Sequence, residues 1–386
     1  MNPNRSWEFN VRQNGYDIAA DPFGYPEAYY SPPLEAVESI RIIRGSASLQ
    51  FGPQFGGLLD YCMKSGDSTK KISLESQQSL GSYGLFSSYN SLGGELDGFN
   101  YFISYHHRSA EGWRMNSDYE TDHFYSRLAY RPSSRMEASL ELTVLRNKLQ
   151  QPGGIVDSDL QSEAKNSTRS RNWLETPWNN AAFRMKFSPL DNWEIDGLIS
   201  TNIAERNSVG FVSPINVTDS MDGSTGFYSP RQIDKDGYVT FMSELRSSYR
   251  YQLYGFVQTF SAGIRYHDGT IRRLQKGVGS TGTTSDFSLK NINDGYANEL
   301  EYSTGNMAFF AEHLFHIGER LIVVPGFRLE NLESSAMGRI GFEKSLNTNS
   351  VDQQLKRTFL LTGIGLEWQH MNNLTFHANV TTAYRP

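Results

Sequence analysis

The side chains best suited to chemistry in this sequence are guanidinium groups and imidazoles, and none is spaced for catalysis. Arg108, Arg114, Arg169, Arg171, Arg231, Arg272 and Arg273 fall in or beside polar stretches. A guanidinium offers a planar fork of donors that meets a carboxylate bidentately, so such a set suits a carboxylate-rich ligand. Most surface arginines are merely solvated; Arg114 and Arg231 are taken as the ligand contacts. His106 and His107 are adjacent. Neighbouring positions of a strand point to opposite faces, so the pair does not chelate one ion. No Gly-x-Ser-x-Gly elbow with a nearby histidine and no clustered His/Glu signature occurs, so no catalytic residue, metal ligand or cofactor is expected. Gly45, Gly52, Gly56 and Gly57 lie in a glycine-rich run without the Gly-Lys-Ser/Thr or Gly-x-Gly-x-x-Gly spacing of a phosphate cradle. They read as structural, permitting positive φ and close backbone approach.

The elements that must carry these residues are strands. From about residue 71 a pattern recurs: about ten residues of strict alternation, then a turn. Met136, Ala138, Leu140, Leu142 and Val144 interleave with Glu137, Ser139, Glu141 and Thr143. Ala181, Phe183, Met185 and Phe187 oppose Arg184 and Lys186; Val239, Phe241, Leu245 and Tyr249 oppose Glu244, Arg246 and Arg250. Leu360, Ile364, Leu366 and Trp368 oppose Gly363, Gly365, Glu367 and Gln369. A period of two puts each set on its own face. Further strands begin near Lys71, Leu85, Phe99, Asp122, Trp193, Phe256, Met307, Leu321 and Leu374, for about thirteen in all.

Connections alternate short and long. Arg131–Arg135, Ser188–Asn192, His316–Arg320 and Gln369–Asn373 are short, whereas Gln150–Trp178, Asn207–Gly237, Asp268–Asn298 and Ser334–Lys356 are long and polar. Transmembrane barrels have this asymmetry, with tight periplasmic turns and extended outer loops. No stretch of ~18 apolar residues marks a transmembrane helix, and Met1 to Asn10 does not read as a secretory signal. The 21 Tyr and 23 Phe among 386 residues favour strands. A net charge of -6 argues against a nucleic-acid partner, and Cys62, the only cysteine, excludes an internal disulfide. Residues 1–66 lack the strand repeat, are interrupted by Pro22, Pro26, Pro32 and Pro33, and form a separate small domain.

The run Val37 to Tyr61 resembles the end of the plug domain of TonB-dependent outer-membrane receptors. It has an apolar strand, Arg44-Gly45, a small-residue stretch, Phe51-Gly52, Gly56-Gly57 and a closing strand. Gln13-Asn14-Gly15-Tyr16-Asp17-Ile18 resembles the family's Asp-Gly strand, with Asn14 where Asp is usual. The spelling around Gly52 and Gly56-Gly57 is nearest to ferric citrate receptors. The resemblance implies an α+β plug, of which 1–66 is the C-terminal part, and an antiparallel transmembrane β-barrel, of which 67–386 is the N-terminal part. It implies a non-enzymatic outer-membrane receptor in a Gram-negative bacterium that takes up a ferric siderophore, ferric citrate included, with TonB and outer-membrane lipid as partners. Phe23 and Tyr25 then sit in the plug-apex loop that faces ligand. Arg44 becomes a latch against a barrel glutamate, for which Glu141, Glu244, Glu330 and Glu367 have lumen parity. The sequence shows no coupling segment, and about thirteen strands fall short of the 22 of large plugged transporters. The expectation is a fragment, a split gene or a mis-called start. A passive or adhesive barrel that binds a surface partner through its long loops is the alternative.

Overall fold

The computed structural model describes residues 9–20, 29–43, 49–52, 57–341, 348–371 and 373–383. Their strands form two sheets. The smaller contains β1 (Phe9–Gln13), β2 (Tyr16–Asp17), β3 (Val37–Ile43) and β4 (Gly57–Met63) in the order β2-β1-β4-β3. β1 runs parallel to β4, and the other pairs are antiparallel.

The larger sheet is a 14-stranded antiparallel wall. It comprises β5 (Ser73–Leu80), β6 (Phe86–Leu96), β7 (Phe99–Ala110), β8 (Tyr119–Ser133), β9 (Met136–Gln150), β10 (Trp173–Glu175) and β11 (Trp178–Leu190). It continues with β12 (Trp193–Gly210), β13 (Gln232–Leu253), β14 (Phe256–Val278), β15 (Tyr296–Ile317), β16 (Leu321–Gly341), β17 (Thr348–Met371) and β18 (Leu374–Thr381). β10 and β11 both lie between β9 and β12. They are one strand broken at Thr176-Pro177, so the fourteen strands make thirteen columns, as the alternation suggests. Proline cannot donate to a ladder, which accounts for the break. The Asn147 side chain repairs it by accepting the Thr176 backbone N–H at 2.8 Å.

Alternation decides which face of the wall meets what. On β9, Leu140 and Leu142 are exposed while Ser139, Glu141 and Thr143 are buried. Val239, Phe241 and Leu245 on β13 are exposed, whereas Thr240 and Glu244 are buried. The apolar set thus faces outward and the polar set faces the small sheet, the reverse of a water-soluble sandwich. An outward apolar band about 25 Å tall is what a lipid-facing barrel wall presents.

The short connections are tight, as expected. Tyr254-Gly255 joins β13 to β14 with both residues at positive φ (50° and 82°), the two-residue hairpin geometry that matches strand twist. Two long connections come out shorter than the sequence suggests. β14 continues to Val278 and β15 begins at Tyr296, while β16 reaches Gly341 and β17 starts at Thr348. Above the apolar band both faces of a strand are polar, so the period-two signal fades although the hydrogen-bonded ladder goes on. The connection after β9 also holds the short helix α1 (Asp157–Ser162) and β10.

The outward placement of Leu140 gives a direct test. Leu140→Arg should destabilise the wall by about 2–4 kcal/mol if that face meets lipid. Urea titration of folding into lipid vesicles measures this, and an unchanged midpoint would contradict a lipid-facing Leu140.

Candidate functional site

The small sheet is held against the wall by a dense set of polar contacts flanked by two apolar clusters. β1 turns into β2 through Asn14-Gly15, both at positive φ (46° and 86°). This turn aims Asn14 at the wall. Its amide donates to Glu141 Oε2 at 2.8 Å and to the Tyr125 hydroxyl at 3.3 Å. Its carbonyl accepts the Met63 backbone N–H at 2.9 Å. One side chain thus ties the turn to the end of β4 and to the wall. Beside it the Gln13 amide donates to Thr143 Oγ1 at 3.0 Å, and the Tyr30 hydroxyl donates to Gln13 Oε1 at 2.5 Å. Tyr16 donates to Glu141 at 3.3 Å, and Tyr30 stacks on His123. The Trp178 indole donates to the Ile18 carbonyl at 3.0 Å. The apolar contribution is two clusters: Val11, Tyr16, Ile18 and Tyr30 packed among Leu145, Trp178, Tyr238 and Met242, and Ala36 and Met63 packed among Tyr89, Phe102 and Tyr125.

A charged cluster lies next to this layer. Arg12 is fully buried. It lies 3.0 Å from Asp17 and 3.9 Å from Glu244 on β13, and donates to the Gly15 and Phe51 carbonyls at 2.9 Å each. Asp17 also pairs with Arg265 of β14. Residues 49–52 are clamped from the wall: Arg265 donates to the Phe51 carbonyl at 3.2 Å and Arg328 to the Leu49 carbonyl at 3.2 Å. Arg246 stands 4.4 Å from the Phe51 ring centroid and donates to Gln50, which itself donates to Glu312 at 2.6 Å. Burial alone would raise the Asp17 carboxyl. Arg12 and then Arg265, with His267 and Arg328 beyond, outweigh it and hold it below the usual carboxylate range. Burial is also the largest influence on Arg12 and brings it down to about 10, still cationic at neutral pH.

Arg44, the latch expected from sequence, lies outside the described residues, as do Gly45, Gly56, Phe23 and Tyr25. The four glutamates proposed for it are placed. Glu141 serves Asn14 and Tyr16, Glu244 pairs with Arg246 and lies near Arg12, and Glu330 pairs with Arg328. Glu367 is half-buried and sits 3.7 Å from His377. Sequence reasoning missed Arg12; its signal was a cation between Val11 and Gln13 on a short strand of a small domain. Gly52 and Gly57 adopt positive φ (115° and 95°), the conformation glycine tolerates. The chain leaves the described residues at buried Ala20 and returns at Tyr29, whose ring lies 6.2 Å from Trp178 at the long-loop end of the wall.

The loop arginines are occupied within the loops. Arg171 and Asp219 are both buried and pair bidentately at 2.8 and 2.7 Å, with the guanidinium 4.1 Å from the Tyr228 ring centroid. Arg171 also donates to the Thr281 carbonyl at 3.1 Å. Arg231 donates to the Arg171 and Thr284 carbonyls at 3.1 and 2.7 Å. Arg169 donates to the Ser213 and Val217 carbonyls, and Arg114 to those of Gly153 and Asn166. Carbonyls in folded loops need partners as much as ligands do, and the sequence cannot separate the two uses. Arg273 faces inward and pairs with Asp236 at 3.1 Å, whereas Arg272 is exposed.

His106 and His107 face opposite sides. His106 is buried and bonded to Ser87 at 2.8 Å, and His107 bonds to Asp122 at 2.8 Å on the outer face. His107, Glu120 and Asp122 bring ligand-type atoms within 4.8 Å of one another. Asp122 already takes both His107 and the Tyr105 hydroxyl, so the group is internally satisfied.

This arrangement of wall and small sheet matches solved outer-membrane receptors. The chain is similar to the ferric citrate transporter FecA in its unliganded form, with TM-score 0.79 and 17% identity over 98% of this chain and 54% of that one. It is similar to the siderophore receptor PiuA from Acinetobacter baumannii, with TM-score 0.76 and 14% identity over 98% and 57%. The copper transporter OprC gives TM-score 0.75 and 12% identity over 97% and 55%. The chain thus spans little more than half of each. Its fold is that of the plugged outer-membrane receptors its sequence resembles. No family model matches the chain, and no curated protein does.

Asp17 has a depressed pKa when seated, so its contribution is full above about pH 4, the ordinary carboxylate value, and is lost as pH falls through the lower seated value. Hydrogen exchange of β1 and β2 amides should therefore quicken in that acid window. Asp17→Asn should remove the acid dependence and cost about 3–5 kcal/mol at neutral pH, because Arg12 and Arg265 lose their shared partner. Matching pH profiles for the two proteins would contradict this role. In the loops, Arg171→Met leaves Asp219 buried without its cation, a cost of about 3–5 kcal/mol. Limited proteolysis should then cut within 211–231 first, with the wall intact.

Proposed function

We propose that this protein is an outer-membrane receptor that takes up a ferric siderophore, ferric citrate among the candidates, with TonB supplying the energy. The observation that carries the reading is the buried Arg12–Asp17–Arg265 cluster. It joins the small sheet to the inner face of a wall whose outer face is apolar. An apolar domain interface would have to be dehydrated and rehydrated at each displacement. A polar one exchanges protein partners for water, at a modest net cost per hydrogen bond. A small sheet seated this way can be held firmly yet shifted by a pull.

In this reading residues 1–66 are the C-terminal part of the plug and 67–386 the N-terminal part of the barrel. Phe23 and Tyr25 form the apex that meets cargo, supported by the anchoring of Tyr29 on Trp178. Arg114 and Arg231 act by fixing the loops above the cargo, because their guanidinium donors are spent on loop carbonyls. Arg44 serves as a further latch, against a barrel glutamate.

Uptake of radio-iron as ferric citrate, and as a catecholate and a hydroxamate chelate, into cells carrying the full-length gene product tests the proposal. At least one chelate should accumulate, and a protonophore should abolish accumulation. Accumulation that survives the protonophore would instead mark a passive barrel.

A further inference from the structure

The outer face of β14 to β17 carries a feature that uptake does not require. The strand register sets the outward residues in rows. The row Ile264, Phe309, Leu329 and Leu360 is wholly apolar. One step nearer the long loops stand Tyr266, Met307, Asn331 and Thr358, then Asp268, Gly305, Glu333 and Lys356, then Thr270, Ser303, Ser335 and Gln354. The face thus passes from apolar to polar over three rows.

A notch of about 650 Å³ lies at that transition. It exists because Gly305 contributes no side chain between Asp268 and Glu333, and a Cβ there would meet nothing within 4 Å. Two strand spacings separate those carboxylates, about 10 Å. Small hydroxyls, Ser303 and Ser335, bound the notch on the loop side, and the half-apolar row with Tyr266 bounds it on the other.

We infer that this notch binds the uncharged saccharide headgroup of an amphiphile whose alkyl chain runs down the apolar band. The inference rests on the reading that the band faces lipid. Asp268 has no side-chain hydrogen-bond partner among the described residues, and Glu333 is matched by Lys356 at 2.7 Å. Carboxylates accept hydrogen bonds from sugar hydroxyls, and the hydroxyls of Ser303 and Ser335 with the Gln354 amide supply donors and acceptors. Lys356, the cation on that row, is already taken by Glu333, so a phosphate there would meet the Asp268 carboxylate, which like-charge repulsion disfavours. Met307 and Phe309, directly below Gly305 on the same strand face, give the chain its apolar track.

The experiment is native mass spectrometry of the full-length protein carried in a polyoxyethylene detergent, with dodecyl maltoside added as the amphiphile. The wild type should retain one maltoside per chain. Gly305→Trp, which fills the notch from an unstrained strand position, should lower that occupancy about tenfold. Gly237→Trp should leave it unchanged, because a Cβ at Gly237 also meets nothing within 4 Å but lies outside the notch. Asp268→Ala, which adds no bulk, should weaken retention severalfold, so the idea stays testable if Gly305→Trp folds poorly. Maltose alone and an alkyl phosphocholine should leave no adduct. Equal maltoside retention in wild type and both notch variants would overturn the inference, as would a phosphocholine adduct with the same Gly305 dependence. A protein that stays monodisperse without detergent would instead overturn the lipid-facing reading beneath it.

Discussion

Most strands of the wall have an apolar stretch on one face, and that stretch has only two places to go. It can be buried in a core or given to lipid. Here the side facing the small sheet carries Glu141, Thr143, Glu244, Arg265, Arg328 and Glu330, all buried, between two clusters that hold Tyr125, Leu145, Trp178 and Met242, so much of the core side is polar. The apolar side is left outward across most of the wall. Within a bilayer each backbone N–H and C=O must be paired inside the protein, and continuous antiparallel ladders do that. The long register of β13 to β17 follows from this constraint, and so does the repair of the ladder at Thr176-Pro177 by Asn147.

A polar interior dictates how anything inside it can be held. The small sheet meets side chains that already need partners, and its own contacts are chosen accordingly. Arg12 is buried beside Asp17, Glu244 and two backbone carbonyls, while the wall's Arg265 is satisfied by Asp17 and Phe51. The wall's Arg265 takes its partners from residues 17 and 51, so the wall does not satisfy it alone. Buried pairs of this kind contribute little net stability against apolar packing, but breaking one partner out is costly. The interface is therefore specific in register without having the adhesion of a hydrophobic core. Tyr16, Ile18, Tyr30 and Trp178 form one apolar patch toward the long-loop end, where the Trp178 indole also donates to the Ile18 carbonyl, and Ala36 and Met63 form a second against Tyr89, Phe102 and Tyr125.

What the sequence displayed was what repeats. The thirteen columns were legible because lipid on one side and a polar interior on the other impose a period of two over about ten residues. The upper parts of β14 to β17 were not, since beyond the lipid both faces are wet and the pattern disappears. The small domain was legible by resemblance from Val37 to Tyr61, but its contacts were not. Arg12 stands in a five-residue strand with no pattern around it; it pairs with Asp17 and the Gly15 and Phe51 carbonyls, and the one wall carboxylate it approaches, Glu244, lies far along the chain. The loop arginines were visible as residues but their use was not. Arg171 and Arg231 look like ligand contacts in sequence, whereas the structure spends them on Asp219 and on carbonyls of three loops. A guanidinium has the same appetite for a folded loop's carbonyl as for a ligand's carboxylate.

Asn14 shows how a departure from a pattern can be explained by its surroundings. The resembled motif has an aspartate before glycine at this turn. An aspartate could still accept the Met63 N–H, since that role needs only a side-chain oxygen. It could not donate to Glu141, and it would bring a second carboxylate against one that is already buried. Two carboxylates at that distance are not both ionised without a cation between them. The nearest wall cation, Arg127, stands 3.7 Å from Glu141 and is shared with Glu137. The amide of Asn14 removes the conflict: it keeps the acceptor that closes the turn and adds a donor for Glu141. The residue at this turn is thus set by the wall it faces as much as by the turn itself, and a change at Glu141 would alter which residue the turn can carry.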